Sequence, residues 1–86
     1  MSRDWCVYLV TCSDGTLYCG TTNDLDKRLA THNAGKGAKY TRSRLPVKLA
    51  TYCDGLTKSE ALRLEARVKK QPRACKVAFL EAGGDV

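Results

Sequence analysis

The N-terminal part of the chain has the pattern of two β-strands joined by a tight turn. Trp5 to Cys12 is rich in β-branched and aromatic residues, which are typical of strands. Ser13-Asp14-Gly15 has the residue types of a turn in which Gly15 adopts a positive φ. Thr16 to Gly20 is then the returning strand. The pattern therefore predicts a β-hairpin.

A helix and a polar loop are expected next. Thr22-Asn23-Asp24 supplies capping residues before Leu25 and Leu29, an apolar pair spaced by about one helical turn. This helix is predicted to end at Asn33-Ala34-Gly35. Gly35 to Ser43 is polar and interrupted by glycine, so it is predicted to form a loop.

Two further helices are predicted in the C-terminal part of the chain. Thr57-Lys58-Ser59-Glu60 matches a capping box, which marks the start of a helix. This helix is expected to run to about Lys70, because Pro72 disfavours the helical conformation in the residue before it. Arg73 to Ala82 forms a third, shorter helix that ends at Gly83-Gly84.

Together these elements predict the fold class. Val47 to Tyr52 has a strand pattern, and Asp54-Gly55 is expected to turn the chain out of that strand. The order β-β-α-β-α-α predicts an α+β fold, with a small three-stranded antiparallel sheet flanked by helices. At 86 residues the chain is expected to form a single domain, 1–86, with one modest core.

Composition narrows the setting in which the protein works. The longest strongly apolar run, Trp5 to Val10, is far too short to span a bilayer. Asp4 stands where a secretory signal carries basic residues, so no signal is expected. The 5 cysteines are odd in number and contain no C-x-x-C pair, which argues against disulfides and structural zinc. We expect a cytoplasmic protein with no membrane partner.

Positive charge is concentrated in the middle of the chain. The sequence has 15 Lys and Arg against 9 Asp and Glu, a net charge of +6. The segment from Lys36 to Lys48 contains several basic residues and no acidic one. Such a segment favours a polyanionic partner, because lysine and arginine displace counterions that are condensed on phosphates. The alternative is a solvated basic face that keeps the protein in solution.

Glu65 is the most informative single position. At about 100° per residue, the second predicted helix gathers its apolar residues on one broad arc: Ala61, Leu62, Leu64, Ala66 and Val68. Glu65 projects near the middle of this arc, where a carboxylate is costly unless it is paired. It therefore requires an ion pair or a bound cation. The alternatives are a buried salt bridge to Arg28 and a position at the rim of the helix.

His32 and Arg28 lie on the first predicted helix. His32 continues the stripe of Leu25 and Leu29, and Arg28, four residues before it, points toward one flank of that stripe. A lone histidine at such a position is more often a hydrogen-bonded core residue than a catalyst. Arg28 alone is by default a surface charge.

Tyr8 and Tyr18 lie on the two strands of the hairpin, and the loop length decides whether they share a face. A two-residue turn sends them to opposite faces of the sheet. A three-residue loop pairs Tyr8 with Gly20, which places Tyr18 on the same face, two positions along. The alternative is that both tyrosines are ordinary aromatic residues of the strands.

Several of these positions together resemble one known family. Cys6-Val7-Tyr8 followed by Tyr18-Cys19-Gly20 is similar to the paired triplets of the GIY-YIG nucleases, whose two tyrosines lie on the first two strands of a β-β-α-β-α core. Three further segments carry the likeness: Thr21 to Leu25, Arg28-x-x-x-His32 and Ala61 to Glu65. Asn33 to Leu49 looks most like the small stand-alone bacterial members. The resemblance covers nearly the whole chain.

Two positions depart from the family pattern. Cys6-Val7 replaces the glycine and isoleucine of the first triplet, a change that keeps apolar strand packing. Several branches carry an asparagine about a dozen residues after the metal-binding glutamate. Here that region is Cys75 to Ala78 and contains no asparagine.

The resemblance implies roles for individual residues. It makes Glu65 the ligand of one divalent metal ion, Mg²⁺ or Mn²⁺, and Arg28 the contact to the scissile phosphate. Tyr8 and Tyr18 match the active-site tyrosines, one of which deprotonates the attacking water, and His32 matches a histidine found beside the tyrosine. Charge and loop position assign nucleic-acid binding to a second group: Lys36, Lys39, Tyr40, Arg42 and Arg44.

The function that these roles imply is a metal-dependent endonuclease. Its substrate is expected to be nucleic acid, with DNA favoured over RNA and structure favoured over sequence, and a repair protein is a conceivable partner. The alternative is a weakly active or non-catalytic nucleic-acid-binding module that uses the basic loop 36–48.

Overall fold

A computed structural model describes residues 3–83. Its elements follow the predicted order, with one additional short helix: β1 Trp5–Thr11, β2 Leu17–Thr22, α1 Leu25–Asn33, α2 Lys39–Arg42, β3 Lys48–Leu56, α3 Lys58–Lys69 and α4 Arg73–Glu81. The strands form one antiparallel sheet in the order β2-β1-β3. The predicted α+β class and the three-stranded antiparallel sheet are confirmed. Gly84 of the predicted helix stop lies outside the described residues.

The hairpin has the three-residue loop. The Cys12 N–H donates to the Thr16 carbonyl at 2.8 Å, and Gly15 lies between them with φ +83°. Tyr8 therefore pairs with Gly20, and Val10 pairs with Tyr18. Because directly opposite residues share a face, Tyr8 and Tyr18 lie on the same side of the sheet.

The two faces of the sheet are covered by different helices. One face, which includes Val7 and Leu9, packs on α3 and α4 and forms a core of buried apolar residues. The other face, which includes Tyr8 and Val10, packs on Val47 and on the leucines of α1. Helix α1, which carries Arg28, and helix α3, which carries Glu65, therefore pack on opposite faces of the sheet.

The helix starts are built as the sequence predicts. The Asp24 carboxylate accepts from the Lys27 N–H and caps α1. Thr57 and Glu60 form the complete capping box of α3, with each side chain accepting from the other residue's backbone N–H. These caps fix the ends of the two helices that bear the predicted site residues.

Two local predictions were wrong. Asp54-Gly55 does not end β3, because the strand continues to Leu56, which pairs with Trp5. The register shifts between these pairs, and Gly55 has φ +74°, so the extra residue is absorbed in a bulge. In the predicted polar loop, Lys39–Arg42 forms the helical turn α2.

Two expectations from composition can be compared with the described residues. None of the helices in residues 3–83 is long and apolar enough to cross a membrane. The five cysteines are all free thiols, three of them buried in the core.

Candidate active site

Tyr8 is the centre of a buried hydrogen-bond network. Its ring is 1% exposed, and its hydroxyl lies 2.9 Å from His32 Nε2. Arg28 Nε donates to the same hydroxyl at 3.3 Å. The fold thus joins three residues that come from β1 and from two successive turns of α1.

His32 has a second partner on the other side of its ring. Its Nδ1 lies 2.9 Å from Thr41 Oγ1, and the Thr41 hydroxyl lies 2.9 Å from the Ala38 carbonyl. His32 and Thr41 are both completely buried. The network therefore runs from Arg28 through Tyr8 and His32 to α2.

Burial and charge tune the members of this network. Burial raises the pKa of Tyr8 above its usual value, and the nearby Arg28 opposes the rise only in part. Burial also lowers the pKa of His32, and the Arg28 charge adds to the effect. The pKa of Arg28 is raised, chiefly by its bond to Tyr8 and further by the nearby Tyr18 hydroxyl. The site thus favours a neutral histidine and tyrosine beside a charged guanidinium.

Two glycines make room for these rings. A Cβ at Gly20 would overlap the hydroxyl end of Tyr8, which crosses directly over the Gly20 backbone. A Cβ at Gly37 would overlap the His32 ring. Any side chain at either position would push Tyr8 or His32 out of the network, so both glycines are spatial requirements of the site.

Tyr18 faces an open cleft at the edge of the sheet. Its ring meets the His32 ring edge-on, with 5.5 Å between centroids, and stacks on Tyr40 at 5.9 Å. The cleft has a volume of about 270 Å³ and is lined by Leu17, Tyr18, Cys19, Tyr40, Lys69 and Lys76. Of the two predicted tyrosines, Tyr18 lines the open space and Tyr8 lies beneath it.

Glu65 lies on α3, one turn before Lys69, which lines the same cleft. Its side chain is 19% exposed, and its carboxylate lies 3.4 Å from the ammonium of Lys69, one turn along the helix. The neighbouring Leu64 packs with Cys19 of β2 in one core. Burial, and then the Glu65 charge, raise the pKa of the Cys19 thiol to about 12. Glu65 thus occupies a rim position with a local ion pair, and Arg28, the other partner considered, bonds to Tyr8.

Comparison with known proteins identifies the family. The protein-family model described as the GIY-YIG catalytic domain matches residues 4–77 of this chain. The chain belongs to the GIY-YIG family. A UPF0213 protein of Streptococcus agalactiae is 53% identical over 76 residues, which cover 87% of this chain and 85% of that protein. A UPF0213 protein of Nitratidesulfovibrio vulgaris is 49% identical over 82 residues, covering 94% and 74%.

Two solved structures show the same GIY-YIG fold. The solution structure of the UPF0213 protein BH0048 from Bacillus halodurans is 41% identical, has a TM-score of 0.56 and covers 93% of this chain and 85% of that one. The solution structure of the protein EF2693 from E. faecalis is 37% identical, has a TM-score of 0.62 and covers 98% and 88%. Nuclease-family membership and the predicted resemblance are thereby confirmed.

The GIY-YIG triplets account for part of the geometry. Their tyrosines share one face because of the hairpin register, and the glycine of the second triplet, Gly20, leaves space for Tyr8. Tyr8, Arg28 and His32 are in direct hydrogen-bond contact. Glu65 lies across the edge strand β2 from this network rather than within it.

The predicted nucleic-acid-binding residues divide into two groups. Lys36, Lys39 and Arg42 are exposed on and around α2. Arg44 instead bonds to Asp14 at 3.0 Å, donates to the Tyr40 carbonyl at 2.7 Å and covers the Tyr40 ring at 4.1 Å. It therefore holds Tyr40 and the hairpin together, which leaves little of its guanidinium for phosphate.

Thr41 is the site residue that the sequence did not reveal. It lies among basic residues in a segment predicted as a loop, and its contact with His32 depends on how that segment folds back over α1. The available signal was Gly37, since a glycine close behind His32 marks a place where the backbone approaches the ring.

Proposed function

We propose that this GIY-YIG protein is an endonuclease that hydrolyses phosphodiester bonds in nucleic acid, with DNA favoured over RNA. The observation that carries the proposal is the direct bond from Arg28 to the Tyr8 hydroxyl, close to Tyr18, whose side chain lines an open cleft. A guanidinium beside two phenols suits a reaction in which negative charge develops on phosphoryl oxygens.

The proposal gives the two tyrosines different roles. Tyr18 lines the cleft, so it is the tyrosine that meets the attacking water and, as the phenolate, accepts its proton, with the positive charge of Arg28 nearby. Tyr8 is buried and its pKa is raised, so it remains a hydroxyl that bonds to His32 and holds Arg28 toward the phosphate. Arg28 stabilises the charge that accumulates on the phosphoryl oxygens.

A divalent metal ion would bind at Glu65. Residues 3–83 contain no group of three or more His, Cys, Asp or Glu side chains placed to hold a metal, so a closed protein site is not present in this range. One carboxylate at a cleft fits Mg²⁺ or Mn²⁺ that is shared with water and substrate oxygens. The bound ion would stabilise the leaving oxygen. Glu65 would have to release Lys69 to take it up.

The nucleic acid would contact the basic surface around α2. Lys36, Lys39 and Arg42 are exposed and carry no acidic neighbour in their segment, so they can bind phosphates in any sequence. Binding through phosphates alone favours recognition by structure, such as nicked, flapped or branched DNA in which the backbone is already open. A repair protein that brings the enzyme to such sites is compatible with this reading.

One observation favours a second function, a nucleic-acid-binding module with little or no cleavage. Glu65, the only carboxylate assigned to the metal, is already neutralised by Lys69. If the ion pair persists when nucleic acid binds, the basic surface still holds phosphates and no metal enters.

The two functions are separated by a cleavage assay with a matched pair of variants. Purified protein is incubated with Mg²⁺ or Mn²⁺, and then with chelator, on labelled single-stranded, duplex, flapped and four-way DNA and the corresponding RNAs. Glu65→Gln removes the proposed metal ligand, and Glu81→Gln makes the same change at an exposed position of α4.

The nuclease predicts metal-dependent cuts by the wild type and Glu81→Gln, and loss of the cuts in Glu65→Gln. Salt-sensitive binding without cutting, unchanged in Glu65→Gln, would establish the binding module instead. The structure that is cut fastest would identify the substrate.

A further inference from the structure

The hydrogen-bond partners of His32 fix which ring nitrogen carries the proton. On one side, the Ala38 carbonyl can only accept, so the bond at 2.9 Å uses the one hydrogen of the Thr41 hydroxyl. The bond between Thr41 Oγ1 and His32 Nδ1 then forms only if Nδ1–H donates to the hydroxyl oxygen. This side of the ring requires a proton on Nδ1.

The other side of the ring gives the same answer independently. Arg28 Nε can only donate, so the Tyr8 oxygen accepts from it at 3.3 Å. The hydrogen of the Tyr8 hydroxyl then needs an acceptor, and His32 Nε2 lies 2.9 Å away. Nε2 must therefore carry a lone pair and no proton. Both sides agree on the neutral Nδ1–H tautomer.

The opposite tautomer would disrupt the hydrogen-bond network on both sides of the His32 ring. With the proton on Nε2, both His32 and Arg28 would donate to the Tyr8 oxygen, and the buried Tyr8 hydrogen would lose its acceptor. On the other side, the Thr41 hydroxyl would turn to Nδ1 and abandon the Ala38 carbonyl. Unpaired buried polar groups are costly, so the geometry holds one tautomer.

We propose that Thr41 is a positioning residue: its hydroxyl, acting from one side of the ring, helps to hold His32 in the Nδ1–H tautomer, in which the Tyr8 hydroxyl donates to His32 and accepts from Arg28. Thr41 reaches His32 because Gly37 has no side chain and lets the segment before α2 close over the ring. Its effect on cleavage rests on the proposed nuclease function. The tautomer itself does not.

The chain offers a clean measurement, since His32 is its only histidine. With ¹⁵N-labelled histidine, long-range ¹H–¹⁵N correlation spectra show the two nitrogens of a single ring. At a pH above the ordinary histidine pKa of about 6.5, the wild type is expected to show a protonated Nδ1 and an unprotonated Nε2. A protonated Nε2 in the wild type would overturn the proposal, whether or not the protein cleaves nucleic acid.

Two variants separate the hydroxyl from the rest of the Thr41 side chain. Thr41→Ser keeps the hydroxyl, and Thr41→Val keeps the shape and removes it. Thr41→Ser is expected to retain the wild-type tautomer, whereas Thr41→Val is expected to show a shift toward a mixture of tautomers. An unchanged spectrum in folded Thr41→Val would refute the role of Thr41 and leave the Arg28–Tyr8 side as the sole determinant of the tautomer. If that variant does not fold, Thr41→Ala removes the same hydroxyl and is read in the same way.

Activity gives the second readout. If the protein is a nuclease, cleavage should fall about 10- to 100-fold in Thr41→Val, the range for removal of groups that orient metal-binding histidines, and Thr41→Ser should restore most of it. Equal losses in Thr41→Ser and Thr41→Val would count against the role of the hydroxyl. Absence of cleavage in the wild type would defeat the nuclease proposal and leave the tautomer result standing.

Discussion

The two faces of the sheet are built on different principles. The face under α3 and α4 is closed by apolar side chains alone, among them Val7, Leu9, Val68 and Leu80. The opposite face, under α1 and α2, buries polar groups at its centre, including His32 and Thr41. One face of the sheet is therefore stabilised by apolar packing, and the other by directed hydrogen bonds.

The difference shows where function constrains the fold. Apolar packing tolerates changes that keep volume, whereas a polar network tolerates few, because each buried donor and acceptor must be satisfied. Among residues 3–83, every buried side-chain nitrogen or oxygen has a hydrogen-bond partner. The hydrogen bonds of the polar face are therefore complete, and they extend to Arg28.

The largest effect on stability is expected on the apolar face. Leu80→Ala removes a fully buried side chain from α4 and should lower the free energy of unfolding by about 2–5 kcal/mol. Leu62→Ala, the same change at a largely exposed position, should cost less than about 0.5 kcal/mol. Denaturant unfolding measures both. A changed His32 spectrum in still-folded Leu80→Ala would show that the two faces are not independent.

A substitution on the polar face is expected to lower stability less than Leu80→Ala but to disturb the hydrogen-bond network more. Gly20→Ala introduces a Cβ that overlaps Tyr8, and such overpacking typically costs about 1–3 kcal/mol. The His32 resonances should shift because Tyr8 moves. Gly15→Ala is the contrast, since its strain comes from a positive φ in open space and should leave His32 unchanged. Identical His32 spectra in wild type and Gly20→Ala would contradict the close packing.

Near neutral pH, the pH dependence of stability should be modest and should come from His32 on the polar face. Burial and then Arg28 lower the pKa of His32 in the folded protein, so on acidification the unfolded chain binds its proton first, near pH 6.5. This contribution to stability is complete above about pH 6.5 and is lost as the pH falls through the folded pKa. Histidine titration by NMR, with and without urea, checks it. A folded pKa equal to the value in urea would abolish this contribution, and a folded pKa above it would reverse the sign.

The smallest effect is expected for single charges on the surface. Lys39→Gln should lower the slope of log affinity against log salt by about 0.9, the value for one phosphate contact. Lys58→Gln removes the same charge near Trp5, at the start of β1, and should leave the slope unchanged. Fluorescence binding across a salt series measures both. Equal slopes in the two variants would remove α2 from the nucleic-acid surface.

The secondary structure could be predicted where local rules decide it. The capping box at Thr57 and Glu60 and the cap before Leu25 placed both helix starts, because caps depend on residues only a few positions apart. The sequence was compatible with two loop lengths in the hairpin. The hydrogen bond between Cys12 and Thr16 shows that the loop has the longer one. Asp54-Gly55 was misjudged because a turn dipeptide also suits a bulge, and pairing with Trp5 decides between them.

The sequence predicted which residues belong to the site, but not the contacts between them. Tyr8, Tyr18, Arg28 and His32 were named from spacing and resemblance, and the fold brings them together. The link from His32 to Thr41 and the use of Arg44 by Asp14 join segments that are distant in the sequence, and no local pattern specifies them. The division between a buried Tyr8 and a cleft-lining Tyr18 likewise depends on how α1 covers the sheet.

The central claim is that Arg28, held by Tyr8, acts on a phosphodiester beside Tyr18. Its most direct test compares Arg28→Gln with Lys27→Gln, the same loss of charge on the preceding, exposed residue of α1. Metal-dependent cleavage of labelled DNA should fall about 10²- to 10³-fold in Arg28→Gln, as when a group that stabilises the transition state is removed, and should persist in Lys27→Gln. Equal activities in the two variants, or no cleavage by the wild type, would contradict the account.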